Sequence, residues 1–370
     1  MAGEDLTNAR LAAPPRAPLP ADGLTRDALL ALGDRVTAGT WGMGLPDWFW
    51  GEGVCLLGLV RLAEARGERF PPPVLQWLAG QVARGIRVDH VNHLAPGTAL
   101  AMVPVQSAEA QRVLKTLVTW LDRPGAVTRD RAGALEHWPG GVWADTVFMA
   151  GVFLGRAAVA LGDPEPLRAF AEQLLRHADV LRDPVTGLYA HGSHRGEVIR
   201  CYWGRANAWA ALAAVEFLEL VAGPAAELAE GLDAEVDRVR RNLAAQLIAL
   251  ARRQPGHGVW SVLVDDHPEV AGLVETSAAA GIGAAMLRAG AVLPSLPVGV
   301  AEAGWLAVRG ALAYVEPDGT LARTSAGTVL QLVPFGYSVI RDDRPQLWGQ
   351  GLALHAIAAA LRAADRGEHP

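Results

Sequence analysis

One aspartate stands near the start of a stretch that is otherwise almost without charge. Val142 to Leu161 reads VWADTVFMAGVFLGRAAVAL, and its only charged residues are Asp145 and Arg156. A helix apolar on every face belongs in an interior, where a carboxylate is unfavourable unless it is partnered or put to use. Asp145 follows the Gly140-Gly141 break by four residues, deeper than an N-cap if the helix starts at Gly141 or Val142. The helix dipole would hold it charged, whereas burial among indoles would raise its pKa and make it a proton donor. General acid/base work is the chemistry such a group offers.

The other polar residues that could share this site occupy similar places. Asp47, Trp48, Trp50 and Glu52, then Trp143 with Asp145, then Trp203, Arg205, Asn207 and Trp209, then Glu275, then Trp348 and Gln350 each fall at the start of an apolar run. Trp41, Trp138 and Trp260 precede such runs. Indoles around a few polar groups are the usual make-up of a sugar site, although any one tryptophan is as well suited to core packing. Arg205, among tryptophans on an apolar helix, calls for an anion: a ligand carboxylate, or an internal partner such as Glu52 or Glu275. His90 and His93, like His191 and His194, lie three apart. Both pairs sit in Gly- or Pro-flanked loops with no cysteine cluster or HExxH helix, so no metal site is expected, and His194 is expected to face solvent.

The elements that must position these residues are helical. About half the chain is hydrophobic, and β-branched runs bounded by turns are few. Apolar periodicity and Gly/Pro punctuation predict twelve helical segments near 25–38, 49–66, 71–86, 97–103, 107–122, 142–161, 164–181, 203–221, 225–253, 273–289, 300–314 and 348–366. Segments two, six, eight, ten and twelve are apolar all round, while the odd ones carry charge on one face. Two concentric layers follow, an all-α (α/α)6 barrel whose inner helices start at one end. One domain is expected over 23–370, after a flexible lead-in over 1–22.

Charge and cysteine usage exclude other classes. The net charge of −6 includes no basic stripe that would track nucleic acid. Cys55 and Cys201 fall in apolar helical contexts and are expected to be reduced core thiols, with a single bridge the alternative. The N-terminus lacks a secretory pattern and no run reads as a membrane span, so a cytoplasmic protein without a membrane partner is expected.

Several strings, in order, resemble glycoside hydrolase family 105, the unsaturated rhamnogalacturonyl hydrolases, and the related family 88 unsaturated glucuronyl hydrolases. They are HWPGGVWADTVFMAGVFLGR, DPVTGLYAHG, YWGRANAWAALAAVEFLE, GVWSVLVDD, VETSAAA and WGQGLALHAIAAAL, and the likeness runs from about Trp41 onward. The resemblance implies an (α/α)6 barrel that hydrates the C4–C5 double bond of a non-reducing-end unsaturated uronic acid and sheds the aglycone sugar. It implies no metal or organic cofactor, an oligosaccharide partner, and unsaturated galacturonyl-rhamnose from pectin as the default substrate. By motif match Asp145 is the general acid/base and Asp89, in RVDHVNHLAPG, the second aspartate near the unsaturated ring. His191, Trp203, Arg205 and Trp209 fall on positions lining the uronate pocket, and His137 lies in the loop before the acid. Trp41, Trp48, Trp143, Met149 and Asn207 complete the expected substrate-binding set. The family's arginine-glycine-asparagine triplet reads Arg205-Ala206-Asn207 here, the stretch after Asp89 reads His90-Val91-Asn92-His93, and the Gly133 to Trp143 loop looks short. These departures touch the pocket wall.

Three other readings share the barrel. An N-acylglucosamine-type epimerase would need two histidines facing the pocket from inner helices. An inverting glycosidase would pair Asp145 with Glu52 or Glu275. A non-catalytic carbohydrate-binding barrel would keep the aromatic pocket without turnover. A monomer or weak homo-oligomer is expected.

Overall fold

The computed structural model describes residues 13–105 and 107–369. Its helices are α1 (Arg26–Met43), α2 (Trp50–Arg66), α3 (Pro72–Arg84), α4 (Ala95–Ala101), α5 (Ala108–Trp120), α6 (Phe153–Leu161), α7 (Pro164–Leu181), α8 (Gly204–Val221), α9 (Asp233–Arg252), α10 (Thr276–Val292), α11 (Val298–Leu312) and α12 (Leu347–Asp365). Side-chain oxygens start several of them: Thr25 accepts from Ala28 N–H, Ser107 from Ala110 N–H and Asp163 from Glu165 N–H.

Burial separates the helices into two layers. α5 buries Ala110, Leu114, Leu117 and Trp120, a single stripe, whereas α8 buries every residue from Gly204 to Leu218. The even-numbered helices touch one another in sequence, α2 to α4 to α6 to α8 to α10 to α12, and α12 closes on α2. The odd-numbered helices pack outside, α1 on α12, α7 on α6, α9 on α8 and α11 on α10. This is the (α/α)6 barrel that the alternation predicts.

Ring closure between α2 and α12 depends on missing side chains. A Cβ on Gly351 would lie 2.5 Å from the Val54 carbonyl oxygen, and one on Gly58 would lie 2.6 Å from that of Gly351. Backbone contact this close leaves no flexible atom to yield.

The inner helices start at a common end. Trp50, first in α2, stacks on Trp348 of α12 with ring centroids 4.2 Å apart. The Trp348 Nε1–H and the Arg205 Nη1–H of α8 both donate to the Ser325 carbonyl, each at 2.9 Å. Glu275, the residue before α10, lies 3.9 Å from Arg205.

Three details differ from the sequence reading. The sixth segment is extended through Val142 and Trp143, and the helix begins at Asp145, runs through a π-turn over Val147–Val152 and continues as α6. Asp145 is therefore the first residue of its helix, not one set deeper. Pairing explains the change: Ser193 N–H donates to Val142 C=O and Ala144 N–H to His191 C=O, which holds 142–144 as an extended strip beside β1 (Gly192–His194). The antiparallel partner of β1 is β2 (Glu197–Ile199). The ninth segment begins at Asp233 rather than 225, after turns.

Third, part of the expected flexible lead-in is tied down. Residues 1–12 of it lie outside the described residues, but Arg16 N–H donates to Tyr314 Oη and Leu19 N–H to Arg309 C=O of α11, whose side chain donates back to Leu19 C=O. Cys55 and Cys201 are both free and buried. Among the described residues no helix is long and apolar enough to cross a membrane.

Replacing Gly351 with alanine should force α2 and α12 apart and destabilise the protein by about 1–3 kcal/mol. The midpoint of urea unfolding measures this, and an unchanged midpoint would contradict the close approach.

Candidate active site

Asp145 opens onto a cavity of about 240 Å³ at the common end of the inner helices. Phe49, Trp50, Asn92, His137, Trp138, Trp143, Met149, Arg205 and the segment Gly327-Thr328-Val329 line it. Its volume lies below the roughly 300–1,000 Å³ of sites that enclose larger ligands, and suits one pyranose ring. A larger cavity, about 480 Å³, lies between α5 and α7. Its polar groups are outer-layer side chains such as Asp122, Glu165 and Glu172, so it lacks the inner-helix starts that bring buried groups together.

The carboxylate is positioned by the extended strip in front of it. Trp143 forms a bridge with Gly192, and its ring lies against that glycine: a Cβ there would sit 2.6 Å from Trp143 Cδ1. His137 stacks on the other part of the assembly, its ring 4.8 Å from that of Trp143 and inclined by 9°. The His137 Nδ1 lies 3.0 Å from Thr146 Oγ1, beside Asp145. Burial drives the pKa of His137 down to about 3, so the ring is neutral at ordinary pH.

His191 governs the acid most directly. Its Nε2 is 3.5 Å from Asp145 Oδ2, an oxygen with no hydrogen-bond partner among the described residues. Its Nδ1 is 2.7 Å from Tyr337 Oη, an oxygen that accepts from Gln331 N–H at 3.4 Å. The network assigns the tautomer: the tyrosine proton goes to Nδ1, which leaves Nε2–H directed at Asp145. Burial pushes the Asp145 carboxyl up, but His191, His137 and Arg205 together outweigh it and leave its pKa below the ordinary value. The resting group is a carboxylate, 14% exposed, and able to meet a ligand.

Arg205 satisfies both readings of its sequence context. Its guanidinium lies 4.3 Å from the Trp203 ring and 5.4 Å from the Trp348 ring, donates to the carbonyls of Ser325 and Ala326, and lines the cavity. Glu275 stands 3.9 Å away. That carboxylate accepts from Ser277 and Ser325, and Glu52 accepts from Asp47 N–H at 3.2 Å, so neither is placed as a second acid for Asp145.

The predicted site residues divide three ways. Asp145, His137, Trp143, Met149 and Arg205 line the cavity. His191 and Trp203 stand behind them, with ring centroids 4.3 Å apart. The structure places the remaining residues away from the cavity lining. Asn207 has no capacity left for a ligand: its Oδ1 accepts from Tyr189 N–H and Gln246, and its Nδ2 donates to the Tyr189 and Trp203 carbonyls. Trp209 is fully buried against Phe148. Trp48 stacks on Trp77 and donates to the His93 carbonyl, and Trp41 packs against the core from α1. Asp89 is half exposed and bridges Arg87 at 2.9 Å and His93 at 3.4 Å, so it is not among the groups that set the charge of Asp145.

Tyr337 and Thr328 went unrecognised in the sequence. Both come from the 323–345 connection, which has no helical periodicity; a lone tyrosine in Pro334-Phe335-Gly336-Tyr337 was the one available signal. Trp50 and Trp138 stood among the tryptophans at the helix starts, but only their placement in the cavity wall distinguishes them from Trp48 and Trp209. No group of three or more metal-ligating side chains forms among the described residues.

Residues 39–364 match the family described as Glycosyl Hydrolase Family 88. The chain is 31% identical over 347 residues to the unsaturated rhamnogalacturonyl hydrolase YesR of Bacillus subtilis (strain 168), covering 90% of this chain and 95% of that protein. It superposes on a possible GH105 family member from Klebsiella pneumoniae subsp. pneumoniae MGH 78578 with a TM-score of 0.81 and 27% identity, over 93% of this chain and 95% of the other. The unsaturated glucuronyl hydrolase of Bacillus sp. GL1 shares the fold, with a TM-score of 0.65 and 17% identity over 90% and 96% of the two chains.

Substituting Asn207 with alanine should lower stability by about 2–4 kcal/mol, because it strands several buried backbone and side-chain groups. Thermal unfolding measures the loss. A protein as stable as wild type would restore Asn207 as a candidate for ligand contact.

Proposed function

The chain belongs to Glycosyl Hydrolase Family 88, and we propose on that footing that it hydrates the C4–C5 double bond of an unsaturated uronic acid, with Asp145 as acid and then base. The observation that carries this reading is the partly desolvated Asp145 carboxyl group facing a ring-sized cavity that it shares with the Arg205 guanidinium. Arg205 is the suited partner for the substrate carboxylate, which is planar and bidentate. Trp143 and Met149 offer apolar surface to the sugar ring, as Trp50 does from α2.

The steps follow from vinyl-ether chemistry. Protonated Asp145 gives its proton to C4, and positive charge develops at C5, shared with the ring oxygen. Water adds at C5 and yields its proton to the Asp145 carboxylate. The product is a hemiketal at C5; its ring opens, and the hemiacetal left at C1 expels the aglycone as an alcohol. Net, one water is consumed and one glycosidic bond is broken. A uronate carboxylate brought into the cavity adds negative charge near Asp145 and favours its protonated form, so binding itself prepares the acid.

Unsaturated galacturonyl-rhamnose is the substrate we propose, supported by the likeness to YesR, whose name gives a rhamnogalacturonyl substrate. Asp89, half exposed on the segment that also supplies Asn92, is the residue we propose for contact with sugar hydroxyl groups beyond the ring bound in the cavity. Residues 23–370 are taken as one catalytic domain, acting in the cytoplasm as a monomer or weak homo-oligomer.

Incubation with unsaturated oligosaccharides from pectin lyases should bleach the enoate absorbance, and Asp145→Asn should slow this by about 10²–10⁴-fold. Equal consumption by the variant would sink the proposal. The pH profile gives a separate check. Because the free Asp145 carboxyl lies below its ordinary pKa and must be protonated to act, kcat/KM should already be falling in the acidic range as pH rises past that value. His191→Leu removes a partner that favours the carboxylate, so the descending limb should move to higher pH. A limb that stays in place would show that His191 does not set the acid.

A further inference from the structure

The end of the barrel opposite Asp145 holds a second set of buried charges. Arg61 of α2, Arg156 beside it on α6, Arg288 of α10 and Glu216 of α8 meet there: Glu216 accepts from all three guanidinium groups. Glu219 accepts from Arg288, and Glu64 accepts from Arg61 and, at 3.3 Å, from Arg362. Four guanidinium groups thus face three carboxylates, an excess of one positive charge; Arg61, Arg156, Arg288 and Glu216 are shielded from water, whereas the Arg362 and Glu64 side chains are 41% and 36% exposed.

That excess borders a small cavity of about 10 Å³, room for one water-sized sphere. Arg61, Arg288, His355 and Arg362 line it with Ala358 and Ala359. Two polar atoms of residues that line it have no hydrogen-bond partner among the described residues, Arg288 Nη1 and His355 Nε2, on residues 7% and 1% exposed. Burial drives the pKa of His355 down to about 3, so this imidazole is neutral and adds no charge, while Arg156 and Arg362 are held below the usual guanidinium range by burial and by Arg61.

We propose that this cavity between α2, α10 and α12 is a monatomic-anion site that binds chloride, held by Arg288 Nη1 and His355 Nε2 with Arg61 and Arg362 supplying the positive field. A single halide taking the place of a water there accepts from Arg288 Nη1–H and, in the tautomer protonated at Nε2, from His355, and it balances the excess charge. Water would fill the space and leave the charge. The ion would link three inner helices at the end of the barrel remote from substrate, so its effect falls on stability.

Crystals of the wild-type chain soaked in sodium bromide test the site directly. One buried anomalous peak is expected in contact with Arg288 and His355, and an empty map there overturns the assignment. In solution, the melting temperature should be about 3 °C higher in sodium chloride than in sodium gluconate at equal ionic strength, with saturation as chloride rises. His355→Phe and Arg362→Met should each lose this increment while melting near wild type in gluconate. Arg362→Met carries the test if the histidine variant fails to fold. Equal melting of wild type in both salts overturns the proposal.

Discussion

Glu216 accepts hydrogen bonds from three arginines on three other inner helices and is shut off from solvent. Burying a carboxylate is strongly unfavourable unless its charge is answered, and removing one partner of such a pair costs about 3–5 kcal/mol. The helices that provide those arginines are consequently fixed in register with α8. Burial pushes Glu216 up, and Arg288, Arg61 and Arg156 together hold it well below its ordinary value. It has no proton to give and no free oxygen to offer.

Asp145, at the other end, is the contrasting case within one fold. It too is largely removed from water, but Nε2 of His191 approaches only to 3.5 Å and Oδ2 has no hydrogen-bond partner among the described residues. Its charge is only partly answered, so a new anion in the cavity can change its state. The difference between a structural and a chemical acid here is the number and charge of partners at contact distance. The fold provides both from the same type of helix.

The Asp145 end is held by backbone contacts more than by ion pairs. The extended strip over 142–144, paired to the segment around Gly192, fixes where the helix of Asp145 begins. The 323–345 connection caps Arg205 through the Ser325 and Ala326 carbonyls and brings Tyr337 onto His191. Asn207, which a motif match suggested as a ligand contact, clamps Tyr189 and thereby the chain leading to His191. Its effect on the site is transmitted through position.

Alternating amphipathic and all-apolar segments were enough to specify twelve helices in two layers, because burial on one face or on every face is written directly into residue type at helical spacing. The same pattern put Asp145 and Arg205 at inner-helix starts. It could not distinguish Trp50, which lines the cavity, from Trp48 two residues earlier, which stacks on Trp77. Both are indoles at a helix start, and only the direction taken by each ring separates them. Nor could local pattern show that Asp89 bridges Arg87 and His93, or that Tyr337 reaches across 146 residues of sequence to orient His191. The sequence by itself determined which groups could be buried. Tertiary structure decided which buried groups face each other, since a charge's pKa and a hydrogen bond's existence depend on distances that close only when the barrel does.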